Sequence, residues 1–342
     1  MTIDLQAPPH ESLRPLLFGR RHADAGLPAG HTEHELGGRA VGAGTGLFTR
    51  ELLAPGGAVF DLWCGGTGLR TRRHGCVRYT TDGQWLHGLA EIDDAAIEGG
   101  VRAAAYRAYA DLFEVLARNR SPHLLRLWNY VNRINAPDPD GLERYRHFNA
   151  GRQQAFIDAH RSAFDGTPAA CALGTARGPL LVYFLAGQRA PIAIENPRQV
   201  SAYHYPASYG PRSPTFSRAV LVEAGGDRLA LFISGTASIV GHATMHIGDV
   251  RRQTEETLAN IAAVREVAAL RAGVEFAAPE LIYTVYVRHR DDLAAVRGVF
   301  EQHVGSHSAA VHEAVYVQAD ICRADLLVEI EAHALVNQKS PV

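Results

Sequence analysis

The chain has 342 residues, of which 46% are hydrophobic and 20% are charged, as in globular proteins of one or two domains. Its 34 basic and 36 acidic residues are interspersed, and the net charge of −2 disfavours binding to nucleic acid or to anionic lipid. Without a transmembrane run, a signal peptide, or cysteines spaced for disulfides or zinc, we expect a cytoplasmic protein with no membrane, nucleic-acid or metal partner.

Residues 1–45 are rich in Gly, Pro and His and show little periodicity, which predicts an extended arm. Within this arm, His31 and His34 are candidate metal ligands, but a third ligand at a recognised spacing is missing. The glycine-rich basic stretch GGTGLRTRRHG (65–75) is not followed by a helical pattern, so we interpret it as a solvated loop rather than a phosphate-binding loop. No cofactor is predicted.

After the arm, short apolar strands alternate with longer amphipathic helices. The first half predicts strands at 58–63, 77–81 and 85–91, a helix at 95–119, a strand at 123–131, a helix at 141–163, and strands at 169–175 and 180–187. The second half predicts strands at 228–235 and 237–246, a helix at 249–271, a strand at 281–289, a helix at 291–304, and strands at 309–318 and 326–332. Both halves have the order β-β-α-β-α-β-β. This duplication predicts an α/β (α+β) fold of two fused repeats, 46–193 and 194–342, with mixed sheets covered by helices.

The linker IENPRQVSAYHYPASYGPRSPTFSRA (194–219) is too rich in proline for a long helix and too aromatic for a bland loop. Its arginines suit bidentate carboxylate binding, and its tyrosines add uncharged hydrogen bonds. Surface arginines with half-buried tyrosines are the alternative. Near the C-terminus, LLVEIEA alternates so that Glu329 and Glu331 share one face of a strand, close to Cys322 and Arg323. These carboxylates are either a solvated edge or a catalytic acid with its neighbours.

Several stretches resemble the chorismatases, and they occur in the same order: LRLWNYVNRIN, GLERYRHFNAGRQQAF, ENPRQVSAYHYPASYGPRSPTFSRA, FISGTASIVGHATMHIGDV, VYVRHRDDL and DICRADLLVEIEA. The resemblance runs from about Trp128 to the C-terminus and is weak upstream of Ala96. It implies a cofactor-independent enzyme that removes the enolpyruvyl group of chorismate as pyruvate. It also implies a fold similar to the reactive-intermediate deaminase fold, repeated within one chain. A monomer and a homotrimer both remain open.

The resemblance also implies roles for individual residues. Glu329 corresponds to the general acid, and Arg323 lies beside it and is expected to face the substrate. The positions that correspond to substrate-binding residues are Tyr205, Tyr209, Arg212, Arg218, Arg288 and Arg323. Trp128 and Asn129 are expected only to support the pocket wall, and for Glu331 we favour a solvated side chain over a partner for Glu329. A carboxylic acid can protonate the enol ether near pH 7 only if burial and the dianionic substrate raise its pKa.

Gly235 in SGTAS and Cys322 in ICR resemble the members that make hydroxybenzoate, mainly the 3-isomer. The hydrolytic members tend to have Ala at both positions and yield a dihydroxycyclohexadiene carboxylate, here called the dihydrodiol. We therefore predict that chorismate gives 3-hydroxybenzoate and pyruvate, with the ring's 4-hydroxyl, rather than water, displacing the enolpyruvyl oxygen. HLLRLWNYVNRIN looks closer to members that make both 3- and 4-hydroxybenzoate, so the isomer ratio stays open. The alternatives are a hydrolytic chorismatase, a deaminase-type enzyme acting on enamines or imines, and a non-catalytic ligand-binding protein.

Overall fold

In the computed structural model, which describes residues 13–23, 34–42, 51–54, 57–164 and 166–338, three β-sheets share one apolar core. The strands in chain order are β1 Leu17–Ala23, β2 Glu35–Gly42, β3 Glu51–Ala54, β4 Ala58–Cys64, β5 Arg70–His74, β6 Val77–Thr81, β7 Trp85–Ile92, β8 His123–Asn132, β9 Ala169–Thr175, β10 Leu180–Gly187, β11 Ile192–Ile194, β12 Ala219–Glu223, β13 Arg228–Ala237, β14 Ile239–Val240, β15 Ala243–Thr244, β16 Ile282–Val287, β17 Val315–Gln318, β18 Asp320–Ile321 and β19 Val328–Asn337. The helices are α1 Gly100–Arg118, α2 Arg144–Asp158, α3 Val250–Ala272, α4 Leu293–Val304 and α5 Ala309–His312.

Two large mixed sheets have the same internal order of strands. The first large sheet runs β18-β9-β8-β10-β7-β6-β5, and the second runs β11-β12-β13-β19-β16-β17-β3. Within them, β9-β8-β10-β7-β6 corresponds strand for strand to β17-β16-β19-β13-β12, and β8/β9 and β16/β17 are the parallel pairs. The predicted mixed α+β fold and its β-β-α-β-α-β-β order in both halves are confirmed.

A small antiparallel sheet, with β4 between β1 and β2, packs its apolar face on the common core. Leu36 and Trp63 from this sheet are 1% and 2% exposed. The described part of residues 1–45 therefore forms strands, where the sequence predicts only an extended arm, because glycines interrupt the alternation in ELGGRAVG. His31 lies outside the described residues, and His34 precedes β2.

Helices α1 and α2 pack apolar residues on the first large sheet, and α3 and α4 pack theirs on the second. In α1, the buried residues recur at three- and four-residue spacings, which is the pattern of a helix with one apolar face. Helix α3 begins after Asp249, whose side chain accepts a hydrogen bond from the Arg252 amide at 3.1 Å, and ends at Gly273 with φ 69°. No helix in the described ranges is both long and apolar enough to cross a bilayer.

Several local predictions differ from the structure. Residues 219–223 form β12, where the sequence predicts the end of the linker and no strand. Residues 237–246 contain only the short hairpin β14–β15 instead of one long strand, and the predicted strand at 309–318 begins with the short helix α5. The basic stretch near residue 70 is an edge strand, β5, with exposed arginines rather than a loop. Strand β3 joins the second large sheet and β18 joins the first, so each sheet includes a strand from the other half of the chain. The division at residue 193 stays a prediction.

Candidate active site

A cavity of about 240 Å³ lies where the linker, the start of α2, β13, β19 and the loop before β19 meet. Seven of the residues predicted for the site line it: Tyr205, Tyr209, Arg218, Gly235, Cys322, Arg323 and Glu329. These residues are up to 124 positions apart in the chain, and the pairing of β13 with β19 brings the two ends together. Within the described ranges, no group of three or more His, Cys, Asp or Glu side chains is placed to hold a metal ion.

Glu143, Asp325 and Glu329 line this cavity with carboxyl groups, and of the three only Glu329 is buried. Glu329 lies near the start of β19, paired with Ala237 of β13 and Tyr286 of β16, and is 3% exposed. Burial, followed by the negative charge of Glu331, raises the pKa of Glu329 to about 8, although Arg126 and Arg288 oppose the shift. A carboxyl group with this pKa keeps its proton at neutral pH and can act as a general acid.

Gly235 lies directly against the Glu329 carboxyl group. A Cβ atom at this position would lie 1.9 Å from Glu329 Oε1 and 2.9 Å from the Cβ atom of Cys171. Only a residue without a side chain leaves room for the carboxyl group where it stands. The absence of a Cβ atom at Gly235 therefore allows the Glu329 carboxyl group to occupy this position.

Cys322 lines the cavity from the loop between β18 and β19. Burial, together with the charge of Glu329, raises the pKa of the Cys322 thiol to about 12. The thiol is therefore neutral at physiological pH and offers a weak S–H donor rather than a nucleophilic thiolate.

Arg218 and Arg323 line the cavity, and each has a buried guanidinium nitrogen without a hydrogen-bond partner among the described residues. Arg218 is 5% exposed and donates at 2.8 Å to the Tyr205 hydroxyl and to the Val200 carbonyl, while its Nε has no hydrogen-bond partner among the described residues. Arg323 donates to the His242 carbonyl at 2.8 Å, and its buried Nη2 also lacks a partner in the described part of the chain. Buried unpaired donors of this kind are costly unless a ligand accepts from them.

The two tyrosines of the linker stack with these arginines. The Arg323 guanidinium carbon lies 4.0 Å from the Tyr209 ring centroid and 5.1 Å from that of Tyr205. The Arg218 guanidinium carbon lies 5.6 Å from the Tyr205 ring centroid. This cation–π stack holds both guanidinium groups in place while leaving their edges available for hydrogen bonds.

The structure does not bring Arg212 or Arg288 to the cavity. Arg212 is exposed and does not line the cavity. Arg288 is 8% exposed and donates to the carbonyls of Leu326, Ile321 and Arg323 and to the side chains of Asn135 and Asp320. All of its nitrogens are thus engaged by the protein, and it fixes the loop that presents Cys322 and Arg323.

Trp128 and Asn129 also lie outside the cavity lining. The Trp128 ring is covered by Arg39 and Arg126, whose guanidinium carbons lie 5.4 and 5.2 Å from its centroid. The Asn129 side chain accepts from the Tyr109 hydroxyl at 2.6 Å and donates to the Cys171 carbonyl at 2.8 Å. Both residues support the sheet behind the site.

Sequence reasoning missed Tyr145 and Arg146, which line the cavity from the first turn of α2. Burial raises the pKa of the Tyr145 phenol well above its usual range, so it stays a neutral hydrogen-bonding group. Their signal was present in the stretch GLERYRHFNAGRQQAF, where a tyrosine and an arginine open the predicted helix. Helix starts face the ends of neighbouring strands in such folds, so polar residues there are site candidates.

The favoured prediction for Glu331, a solvated side chain, is wrong. Glu331 is 4% exposed, and its carboxylate is bound by the guanidinium groups of Arg39, at 2.8 Å, and Arg126. Burial alone would raise its pKa, but these two charges lower the pKa of Glu331 to about 2. Adjacent carboxyl groups on one strand face therefore differ in charge, Glu329 neutral and Glu331 ionised.

Comparison with known proteins shows which family the chain resembles. Residues 61–186 match the family model described as chorismatase FkbO/Hyg5-like, N-terminal. A chorismatase of Streptomyces rapamycinicus is 41% identical over 266 residues, covering 75% of this chain and 77% of that protein. A 3-hydroxybenzoate synthase of Streptomyces hygroscopicus is 38% identical over 264 residues, covering 75% of each chain.

A solved structure agrees over nearly the whole chain. The crystal structure of a chorismatase at 1.08 Å resolution superposes with a TM-score of 0.83 at 31% identity, covering 95% of this chain and 99% of that one. The family match also begins upstream of Ala96, where the sequence resemblance is weak. The similarity therefore includes both large sheets.

Proposed function

Because the chain belongs to the chorismatase family, we propose that it converts chorismate to 3-hydroxybenzoate and pyruvate, with Glu329 as the general acid. The observation that most strongly supports this proposal is a buried, protonated carboxyl group beside two guanidinium groups with unpaired donors. The cavity thus combines a proton source with two anion-binding groups.

The two carboxylates of chorismate account for the two guanidinium groups. Arg218 and Arg323 are each held by a tyrosine, and each keeps a donor without a protein partner. A bound carboxylate would accept from such a donor with a charge-assisted hydrogen bond, which is about twice as strong as a neutral one.

The proposed reaction begins with proton transfer from Glu329 to the methylene carbon of the enol ether. The enolpyruvyl oxygen then leaves ring carbon 3 with the electrons of its C–O bond, and pyruvate departs. The neighbouring 4-hydroxyl oxygen bonds to carbon 3 and gives up its proton, which restores Glu329. The resulting epoxide opens at its bond to carbon 4 and loses the proton on carbon 3, giving 3-hydroxybenzoate with no water consumed.

The raised pKa of Glu329 suits this step, because the carboxyl group must carry a proton before it can deliver one. Burial keeps the carboxyl group protonated before substrate binds, and the negative charges of chorismate would raise its pKa further. Cys322, with its neutral thiol, and Tyr145, with its neutral phenol, are the nearby groups available as hydrogen-bond partners for the ring hydroxyl.

Incubation with chorismate tests the proposal. Pyruvate is measured by reduction with lactate dehydrogenase and NADH, and ring products are separated by chromatography against 3-hydroxybenzoate, 4-hydroxybenzoate and the dihydrodiol. We expect equal amounts of pyruvate and hydroxybenzoate, mainly the 3-isomer. If the dihydrodiol is the only ring product, the enzyme hydrolyses chorismate and the proposed reaction is wrong. If no pyruvate forms, chorismate is not the substrate.

We also propose a cytoplasmic location. All four cysteines lie in the described part of the chain and are free thiols, which is the state that a reducing compartment maintains. Fractionation of cells that produce the protein tests this, with recovery outside the cytoplasm as the contrary result.

A further inference from the structure

A buried ionic cluster, which includes Glu331 two residues after Glu329, joins the three sheets of the common core. Arg39 of β2 lies 2.8 Å from Glu331 of β19 and 3.1 Å from Asp61 of β4, and Arg126 of β8 binds the second oxygen of Glu331. The side chains of Arg39, Arg126 and Glu331 are 5%, 3% and 6% exposed. Each of the three sheets therefore contributes a charged side chain to one buried cluster.

Within this cluster, Glu331 is fixed as an anion. One of its oxygens also accepts a hydrogen bond from the Tyr286 hydroxyl at 3.0 Å. The second carboxylate that Arg39 contacts, Asp61, is shared with Arg20, whose Nε lies 2.7 Å from Asp61 Oδ1. Removing the charge of Glu331 would leave Arg126 without a carboxylate partner in the described residues, a costly state for a buried cation.

Glu329 lies two residues before Glu331 on the same face of β19, which places the two side chains roughly 6–7 Å apart along the strand. Arg126 from β8 and Arg288, which follows β16, oppose the rise in the pKa of Glu329. The other charged side chains in its cavity are Glu143, Arg146, Arg218, Arg323 and Asp325. Glu331 neutralises Arg126, and Asp320 neutralises Arg288 at 3.1 Å. The neutral groups around Glu329 are the Cys171 thiol of β9, the Cys322 thiol and the Tyr145 phenol of α2.

We propose that Glu331 is a positioning residue for the reaction, a fixed anion that keeps Glu329 protonated by neutralising Arg126 and by repelling a second carboxylate beside it. The inference rests on the proposed function, in which Glu329 delivers the proton. Glu331 contacts neither substrate nor reacting atoms in this scheme and acts only through Glu329. A purely structural role for Glu331 would stabilise the three-sheet junction without affecting when Glu329 loses its proton.

The pH dependence of kcat/KM for pyruvate release separates these roles, since its alkaline limb reports the pKa of the acid in the free enzyme. Glu331→Gln removes the anion and leaves Arg126 unneutralised, and both changes favour an ionised Glu329. We expect the limb to move to lower pH by about one to two units. Glu331→Asp keeps the charge, and its limb should stay near that of the wild type.

Asp61→Asn is the matched control, because it also removes a buried carboxylate from Arg39 but does not act on Glu329. Asp61→Asn should lower the unfolding temperature and leave the alkaline limb of the kcat/KM profile at the wild-type pH. If Glu331→Gln does not fold, Arg126→Gln provides the test in the opposite direction, since losing this cation should move the limb to higher pH.

The outcomes separate this inference from the proposed function. If Glu329→Gln still releases pyruvate at a rate close to that of the wild type, Glu329 is not the general acid and the proposed reaction is wrong. If Glu329→Gln abolishes the reaction but the limb of Glu331→Gln stays at the wild-type pH, only the inference fails. A limb that moves equally in Glu331→Gln and Asp61→Asn would also overturn it, because the effect would then follow from the loss of any buried charge.

Discussion

Gly235→Ala would place a methyl group where the Glu329 carboxyl group lies. The Cβ position is 1.9 Å from Glu329 Oε1, so the oxygen must move by at least about 1.1 Å to reach even a tight contact. Glu329 is flexible enough to rotate, but the Cys171 Cβ atom at 2.9 Å belongs to a buried strand and resists displacement. Overpacking of this kind costs roughly 1–3 kcal/mol of stability, and a shift of about 1 Å in a catalytic group reduces the rate about 10²-fold.

Coupled pyruvate assays and thermal unfolding together test this expectation. Gly298→Ala is the matched control, because it adds the same methyl group to α4, where no atom lies within 4 Å of the new Cβ. The control should keep wild-type turnover and gain slightly in stability, since alanine favours a helix over glycine by roughly 0.5–1 kcal/mol. Wild-type kcat in Gly235→Ala would refute the contact between this glycine and the acid.

The product of the residual activity is a second readout. Adding Cys322→Ala to Gly235→Ala removes the thiol beside the ring and should shift part of the product from hydroxybenzoate to the dihydrodiol. The two outcomes differ only in the source of the new carbon–oxygen bond, so a change of about 1.4 kcal/mol in one barrier alters their ratio tenfold. Hydroxybenzoate alone at normal turnover would show that these two positions do not control the branch.

Three further expectations concern the arginines and the acid. Arg218→Ala should raise KM for chorismate by more than about tenfold, because truncating one partner of a desolvated charge pair costs roughly 2–5 kcal/mol. Arg212 is exposed, so KM of Arg212→Ala should stay within about twofold of the wild type. Equal effects of the two substitutions in steady-state kinetics would contradict this. Arg288→Met should lower both the unfolding temperature and kcat by loosening the loop before β19, and unchanged values would oppose that role. Because the acid form of Glu329 is the active one, kcat/KM should be flat below about pH 7 and fall about tenfold per unit above about pH 8; a rate that rises through this range would contradict the acid role.

The duplicated fold was predictable because its strands and helices have strong periodicities. The exceptions have local causes. Strand β12 follows directly from the proline-rich linker, and its five residues are too few to show a period. Residues 237–246 look like a strand by composition, but glycine at 241 with φ 59° and the pairing of Ile239 with Thr244 turn them into a hairpin.

Site residues within a recognisable motif could be predicted from the sequence. Residues whose burial and direction depend on tertiary contacts could not. Arg212 and Arg218 belong to one linker, and only its folded path leaves Arg212 exposed and places Arg218 at the cavity. The burial of Glu331 depends on Arg39, which is 292 positions away in a segment without a clear periodic signal. Charge pairs across such separations leave no pattern in a single sequence.

Pyruvate release by Glu329→Gln tests the central claim most directly. The amide keeps the shape of the side chain beside Gly235 and lacks the acidic proton. We expect the variant to fold and to bind chorismate while releasing pyruvate about 10²–10⁴-fold more slowly, which is the usual loss for a missing general acid. Turnover within tenfold of the wild type, measured at pH 7 with saturating chorismate, would contradict the assignment of Glu329 as the proton donor.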